Sequence, residues 1–166
     1  MNSPRILIVD DHEFVRRGIK ALLSKRPDWS VCGEATDGID AVEKAKSLHP
    51  DVILMDISMP RVNGLEATRA IKRDLPQCEV LIVSQNDPSV AEEQAVEAKA
   101  SGYICKSDLD DELLPAIERL LMEKNRNSAD LRDNDLDNVF VPTRQGDINR
   151  QDTDGLGLSN HARQDS

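Results

Sequence analysis

Short runs of apolar residues alternate with longer stretches in which apolar positions recur every three or four residues. The short runs are "RILIV" (Arg5–Val9), "SVCGEA" (Ser30–Ala35), "DVILM" (51–55), "EVLIV" (79–83) and "GYIC" (Gly102–Cys105). Most are apolar at successive positions, the pattern of strands buried on both faces and hence of a parallel sheet covered on both sides. The longer stretches predict helices. Val15, Ile19, Leu22 and Leu23 share one face of a first, Ala41, Val42 and Ala45 mark a second, and Gly64, Ala67, Ile71 and Leu75 a third. A fourth, rich in alanine, is predicted over about 88–98, and the last carries the clearest stripe, Leu113, Ile117, Leu120 and Leu121. Pro115 in that last stretch fits a helix that begins near Asp110 or Asp111, where the missing amide would have no partner to lose. Five strand–helix units predict a doubly wound α/β sandwich with right-handed crossovers.

The periodicity stops after Arg126. "NSADLRDNDLDNVFVPTRQGDINRQDTDGLGLSNHARQDS" is polar, without helical or strand period, and has one apolar cluster, "VFV" at 139–141. Such a segment buries too little to offset the entropy of ordering. The expectation is a folded domain over 1–126 and a disordered tail over 127–166, with 139–141 the one place in it suited to docking.

Composition narrows the function classes. Aromatics are 2% of the chain, so the core is aliphatic and base stacking is a poor candidate for a binding mode. Lys and Arg number 21 against 31 Asp and Glu, a net charge of -10, which argues against direct nucleic-acid contact. Cys32, Cys78 and Cys105 lack any zinc-binding spacing and are expected as small buried hydrophobes in a reducing cytoplasm. No apolar run approaches the length of a membrane span, so no membrane association is expected.

Candidate chemistry lies where the strands end. In an open parallel sheet the ligand site is at the carboxyl ends of the strands, where strand order reverses. The first strand runs into Asp10 and Asp11, the third into Asp56, the fourth into Ser84 and the fifth into Lys106. Two carboxylates about 4 Å apart repel by roughly 4 kcal/mol at an effective dielectric near 20, so ionised carboxylates need a cation to stay together. Oxygen donors on turns suit a hard ion, and Mg²⁺ is the natural candidate because it keeps several waters and takes a phosphate oxygen readily. Lys106 would supply a point charge for that phosphate, Ser84 a movable donor and Asp56 a nucleophile, a set able to accept a phosphoryl group as an acyl phosphate.

"ILIVDDHEFVRRGIKALL", "DVILMDISMPRVNGLEATRAIK", "LIVSQND" and "GYICK", in this order and spacing, resemble the receiver domain of two-component response regulators, notably the class that usually precedes a LuxR-type DNA-binding domain. The resemblance covers roughly residues 4–124. It implies a flavodoxin-like fold with strand order 2-1-3-4-5, Asp56 as phosphoacceptor, Asp10 and Asp11 as the acidic pair serving Mg²⁺, and the Ser58 main-chain carbonyl as a further ligand. It also implies Ser84 as switch hydroxyl, Lys106 as phosphate-binding lysine and Tyr103 as the aromatic whose rotamer reports phosphorylation. By the same resemblance, Ser58 and Asn86 are implied to occupy the positions that tune the lifetime of the phosphoryl group. The implied partners are a sensor histidine kinase or a histidine phosphotransfer protein, then a downstream protein, with a phosphorylation-dependent homodimer as one output. The surface implied to change is that of the fourth helix, fifth strand and fifth helix. Such a domain is a cytoplasmic signalling module and not an enzyme with a separate substrate, because its phosphotransfer and dephosphorylation are self-catalysed. Two departures stand out: Ser107 follows Lys106 where many receivers have a proline, and residues 127–166 carry neither the helical pattern nor the basic face expected of a LuxR-type domain.

Three other readings compete. A receiver-like scaffold would bind partners without being phosphorylated, but it has no need of the full set of acids, Ser84 and Lys106. An aspartate-nucleophile phosphatase of the haloacid dehalogenase type also uses Asp after a strand with Mg²⁺, yet wants a second Asp where Ser58 stands. Nucleotide binding lacks a GxGxxG or GxxxxGK[ST] loop after the first strand. Asp10, Asp11 and Asp56 taken singly could each be a turn or helix-cap residue. His12 reads as an exposed loop imidazole, Cys105 as a buried strand residue, and Asn63 and Gly64 as turn and helix-entry residues.

Overall fold

Each apolar run forms a strand, and each periodic stretch a helix. The computed structural model, which describes residues 2–130, contains β1 (Arg5–Val9), α1 (Glu13–Leu23), β2 (Ser30–Ala35), α2 (Gly38–Leu48), β3 (Val52–Met55), α3 (Gly64–Asp74), β4 (Glu79–Ser84), α4 (Pro88–Glu97), β5 (Gly102–Cys105) and α5 (Leu109–Asp130). A 3-10 turn, Lys106–Asp108, leads from β5 into α5. Neighbouring strands are parallel, in the order β2-β1-β3-β4-β5, which is the doubly wound order expected.

Alternation along the strands splits the core in two. Leu7, Val9, Ile53, Met55, Val80, Ile82 and Tyr103 point to one face, under Ala41 and Ala45 of α2, Ala67 and Ile71 of α3, and Ala91 and Ala95 of α4. Ile6, Ile8, Val52, Leu54, Leu81, Val83 and Ile104 point to the other, under Ile19, Leu22 and Leu23 of α1 and Leu113, Ile117 and Leu120 of α5. Both faces of β1, β3 and β4 are therefore removed from water, which is why these strands are apolar at successive positions. β2 lies at an edge with only Ala35 fully buried, consistent with its mixed composition. The chain leaves β1 for β2 on one side and returns as β3 on the other, so the carboxyl ends of β1 and β3 flank the crevice where strand order reverses.

Three helices are capped by side chains at this end of the sheet. Asp37 accepts from the Asp40 amide, Asn63 from the Leu65 and Glu66 amides, and Asp87 from the Ser89 amide. At the opposite end, Lys72 is buried with its Nζ donating to the carbonyls of Pro76 and Cys78, which ties α3 to the start of β4. Lys124 of α5 pairs with Asp51 before β3 at 2.8 Å. Cys78 is buried, its thiol pushed up to about 12 by that burial, whereas Cys32 and Cys105 are only half-buried. No helix among the described residues is long and apolar enough to cross a membrane.

The last helix departs from expectation at both ends. It starts at Leu109, ahead of Asp110 and Asp111, so Pro115 falls in its second turn and leaves the Asp111 carbonyl without a helical donor. The arrangement is tolerated because Asp111 and Pro115 both face solvent, while Leu113, Ala116, Ile117 and Leu120 hold the helix on the sheet. The helix also runs to Asp130, four residues past the boundary read at 126, with the Ser128 hydroxyl donating to the Lys124 carbonyl. The predicted disorder of the tail beyond this point, and the cluster at 139–141, lie outside the described residues.

Restoring an amide at position 115 should strengthen α5. Pro115→Ala is expected to raise stability to urea by about 1 kcal/mol or more, less than a fully interior proline costs because water reaches the orphaned carbonyl. An unchanged or lowered denaturation midpoint would show that the turn before α5 already accommodates the ring.

Candidate functional site

The residues picked out at the strand ends come together at the carboxyl edge of β1, β3, β4 and β5. Asp10 follows β1 with its amide donating to the Ala35 carbonyl at 3.1 Å, and Asp56 follows β3 with its amide donating to the Val9 carbonyl at 2.9 Å. Each strand's hydrogen-bond ladder thus extends one step to fix an acid. Both residues are 2% exposed. Lys106 reaches in from the 3-10 turn after β5, its Nζ 2.7 Å from Asp10 Oδ2 and 3.3 Å from Asp56 Oδ1. Asp11 stands at the solvent edge.

The acids here behave differently from the caps. Asp37 and Asp87 spend a carboxylate oxygen on a helix amide. Asp56 does not: Oδ1 has Lys106, while Oδ2 is buried without a hydrogen-bond partner among the described residues. Burial, followed by repulsion from Asp10, raises the Asp56 carboxyl to about 6, against the opposing pull of Lys106 and a hydrogen bond from the Ser58 amide. Burial alone would lower the Lys106 ammonium, but the carboxylates of Asp10 and Asp56 outweigh it and hold Lys106 above its ordinary value. A buried orphan oxygen beside a second carboxylate is the local chemistry that a cation relieves. One donor atom from each of Asp10, Asp11, His12 and Asp56 lies within 4.8 Å of the others, so the residues present fit a small divalent ion.

Ser84 ends β4 fully buried, its Oγ accepting from the Asn86 amide at 3.1 Å. Tyr103 on β5 is turned inward, 2% exposed, and its hydroxyl donates to the Asn86 carbonyl at 2.9 Å. One main-chain residue, Asn86, therefore connects Ser84 and Tyr103, and the sequence carried no sign of that link. Ser58 and Asn86 are exposed on the loops after β3 and β4. Ser107, where a proline was conspicuously missing, places its hydroxyl 3.1 Å from Asp108 Oδ1.

Sequence reasoning underrated three residues. His12 is exposed as expected, but its Nδ1 lies 3.2 Å from Asp10 Oδ1 and 3.1 Å from Asp11 Oδ1; the adjacency of "DDH" was the available signal. Gly64 is more than a helix-entry residue: a Cβ there would stand 1.8 Å from the Asp56 carbonyl oxygen. Arg61, in the left-handed region at φ 67°, pairs with buried Asp37 at 2.6 Å and pins the β3–α3 loop to the start of α2. Nothing in the sequence couples positions 37 and 61.

Two outcomes follow for stability. Asp56 binds its proton more tightly folded than unfolded, so its ionisation opposes folding. The penalty is absent below about pH 4, grows up to about 6 and is full above it, amounting to at most about 3 kcal/mol. Asp56→Asn should therefore stabilise the metal-free protein at neutral pH and lose that advantage as pH falls to about 4, measured by urea unfolding; a destabilised variant at neutral pH would contradict the assignment. Gly64→Ala should cost about 3 kcal/mol or more, above the usual range for overpacking, because the obstructing atom is backbone.

Comparison with known proteins agrees with this geometry. A family model described as the response regulator receiver domain matches residues 6–118. The transcriptional regulatory protein DegU of Brevibacillus brevis is 40% identical over 117 residues, 70% of this chain and 50% of that protein. The response regulator protein VraR of Staphylococcus aureus is 40% identical over 115 residues, 69% of this chain and 55% of that one. The chain thus spans about half the length of the curated relatives it matches. Among solved structures, a LuxR-family two-component response regulator from Aurantimonas sp. SI85-9A1 superposes with a TM-score of 0.69 at 35% identity, covering 78% of this chain and 98% of that one. The signal receiver domain of the putative response regulator NarL from Mycobacterium tuberculosis gives a TM-score of 0.67 at 31% identity, covering 72% and 96%. By fold, by the acids and lysine at its strand ends and by these matches, the chain belongs to the response regulator receiver domains of two-component systems.

Proposed function

We propose that this chain accepts a phosphoryl group on Asp56 from a phosphohistidine of a sensor histidine kinase or a histidine phosphotransfer protein, and signals by a conformational change. The observation that carries the reading is Asp56 Oδ2, buried and unpartnered beside Asp10 and Lys106. An ionised carboxylate with one buried oxygen left without a hydrogen-bond donor is a stronger nucleophile through that oxygen than a fully solvated one. In the transfer, an Asp56 oxygen forms a bond to phosphorus as the phosphorus–nitrogen bond breaks, and the electron pair leaves with the donor imidazole.

Asp10, Asp11 and Asp56, with the main-chain carbonyl of Ser58, would hold Mg²⁺, which when bound offsets negative charge on the phosphoryl oxygens. Lys106 keeps the two buried acids together beforehand and is within reach to pair with a phosphoryl oxygen afterwards. Ser84 accepts from Asn86 and still has its own hydroxyl proton to donate. A Ser84 drawn toward the new phosphoryl group would release the Asn86 amide, and with it the carbonyl that Tyr103 holds. That links chemistry at Asp56 to β5 and its flanking helices α4 and α5. Ser58 and Asn86, small, polar and exposed, stand at the positions that tune the lifetime of the phosphoryl group, and its hydrolysis is carried out by this same site. An unphosphorylated scaffold is the second reading, and the experiment below separates the two.

Incubation with Mg²⁺ and a small acyl phosphate should add one phosphoryl group by intact mass, and Asp56→Asn should add none. An unmodified wild type would remove the proposal in favour of the scaffold. A rise in solution molecular weight on phosphorylation would identify a homodimer as the output, and an unchanged weight a different protein partner. Because Asp56 must be ionised to attack, the rate should fall as pH drops through about 6, with the bound cation moving the fall to lower pH.

A further inference from the structure

His12 has an exposed side chain whose ring is nevertheless turned onto the acids, Nδ1 lying 3.2 Å from Asp10 Oδ1 and 3.1 Å from Asp11 Oδ1. Asp10 is satisfied without it. Its Oδ1 already accepts from the His12 main-chain amide at 2.8 Å, and its Oδ2 is 2.7 Å from Lys106 Nζ. Helix α1 does not depend on the ring either, for His12 is the N-cap residue yet makes no side-chain capping bond. What the imidazole adds is a nitrogen donor within 4.8 Å of one oxygen from each of Asp10, Asp11 and Asp56. Donors bound about 2.1 Å from a single ion stand about 3 to 4 Å apart, so this group is nearly gathered. Asp56, a member of that group, is 2% exposed, and its Oδ2 is buried without a hydrogen-bond partner among the described residues.

We propose that His12 is a metal ligand through Nδ1, making the centre a mixed nitrogen–oxygen site that favours transition ions such as Co²⁺ and Mn²⁺ beyond what its carboxylates alone would give. The inference rests on the divalent-metal reading of the site above and adds to it which ions the site prefers. Mg²⁺ favours oxygen and gains little from an imidazole, whereas the affinity of divalent first-row ions rises from Mn²⁺ to Co²⁺ and is well served by imidazole. Ligation uses the Nδ1 lone pair, and therefore the tautomer with its proton on Nε2. His12 then sets metal selectivity, while occupancy by Mg²⁺ depends on the acids.

The test titrates the full chain with Mg²⁺, Mn²⁺ and Co²⁺ separately by calorimetry, comparing wild type with His12→Ala and His12→Gln. Expected is a Co²⁺ dissociation constant raised about tenfold or more in both variants, a scale that even outer partners of a metal reach, with Mg²⁺ binding changed less than about twofold. Pulsed EPR of the Mn²⁺-loaded wild type should show coupling to an imidazole nitrogen that disappears in His12→Ala. Three results would overturn the proposal: no nitrogen coupling, unchanged Co²⁺ affinity, or Mg²⁺ and Co²⁺ affinity falling by the same factor, which would make His12 an organiser of the acids only. If the wild type bound none of the three ions, the metal reading itself would fall and the selectivity with it.

Discussion

Asp10 and Asp56 are buried side by side, and one ammonium, that of Lys106, bridges them. Without it, two desolvated carboxylates at this spacing would force the strand ends apart or take up a proton. Even with it, Asp56 keeps an unpartnered oxygen and a carboxyl raised to about 6. The site is thus held in an unsatisfied state by a structure that is otherwise well satisfied. That imbalance is what the proposed phosphoacceptor role of Asp56 rests on.

Rigid surroundings are what make such a state tenable. The ladders of β1 and β3 extend to the amides of Asp10 and Asp56, and Arg16 adds a guanidinium bond to the Asp10 carbonyl at 2.9 Å. The loop after β3 is closed by the Gly64 amide on the Ile57 carbonyl at 2.9 Å, an approach too close for any side chain at position 64. The Arg61–Asp37 pair fastens the outer part of that loop to α2. Opposite it, Asn86 receives Tyr103 and serves Ser84 through its two main-chain groups, so a displacement of either is felt by the other. Main-chain bonds fix Asp56 and Asp10, and the bonds that link Ser84, Asn86 and Tyr103 lie on the β4 and β5 side.

The reading from the sequence succeeded where a physical rule ties pattern to place. Unbroken apolar runs mean strands covered on both faces, and in a parallel sheet such strands deliver whatever follows them to one edge. Asp10, Asp11, Asp56, Ser84 and Lys106 were legible for that reason. Pro115 misled because its cost was assigned to the helix end, when the exposed side of α5 could absorb it. The end of α5 was set too early because 127–130 has no apolar stripe, and the helix there continues on hydrogen bonds such as Ser128 to Lys124. His12 was judged by its exposure and by the lack of a second histidine, neither of which says where a ring points.

By itself the sequence determined the element order, the layers and the roster of charged groups at the carboxyl edge, because these follow from periodicity and from the chain's polarity within a parallel sheet. Only the tertiary structure decided which oxygens are paired and which is left over, that Lys106 spans Asp10 and Asp56, that Asn86 joins Ser84 to Tyr103, and that Gly64 lies against the Asp56 carbonyl. Those are relations across tens of residues, fixed by distances of about 3 Å between groups that no local pattern couples.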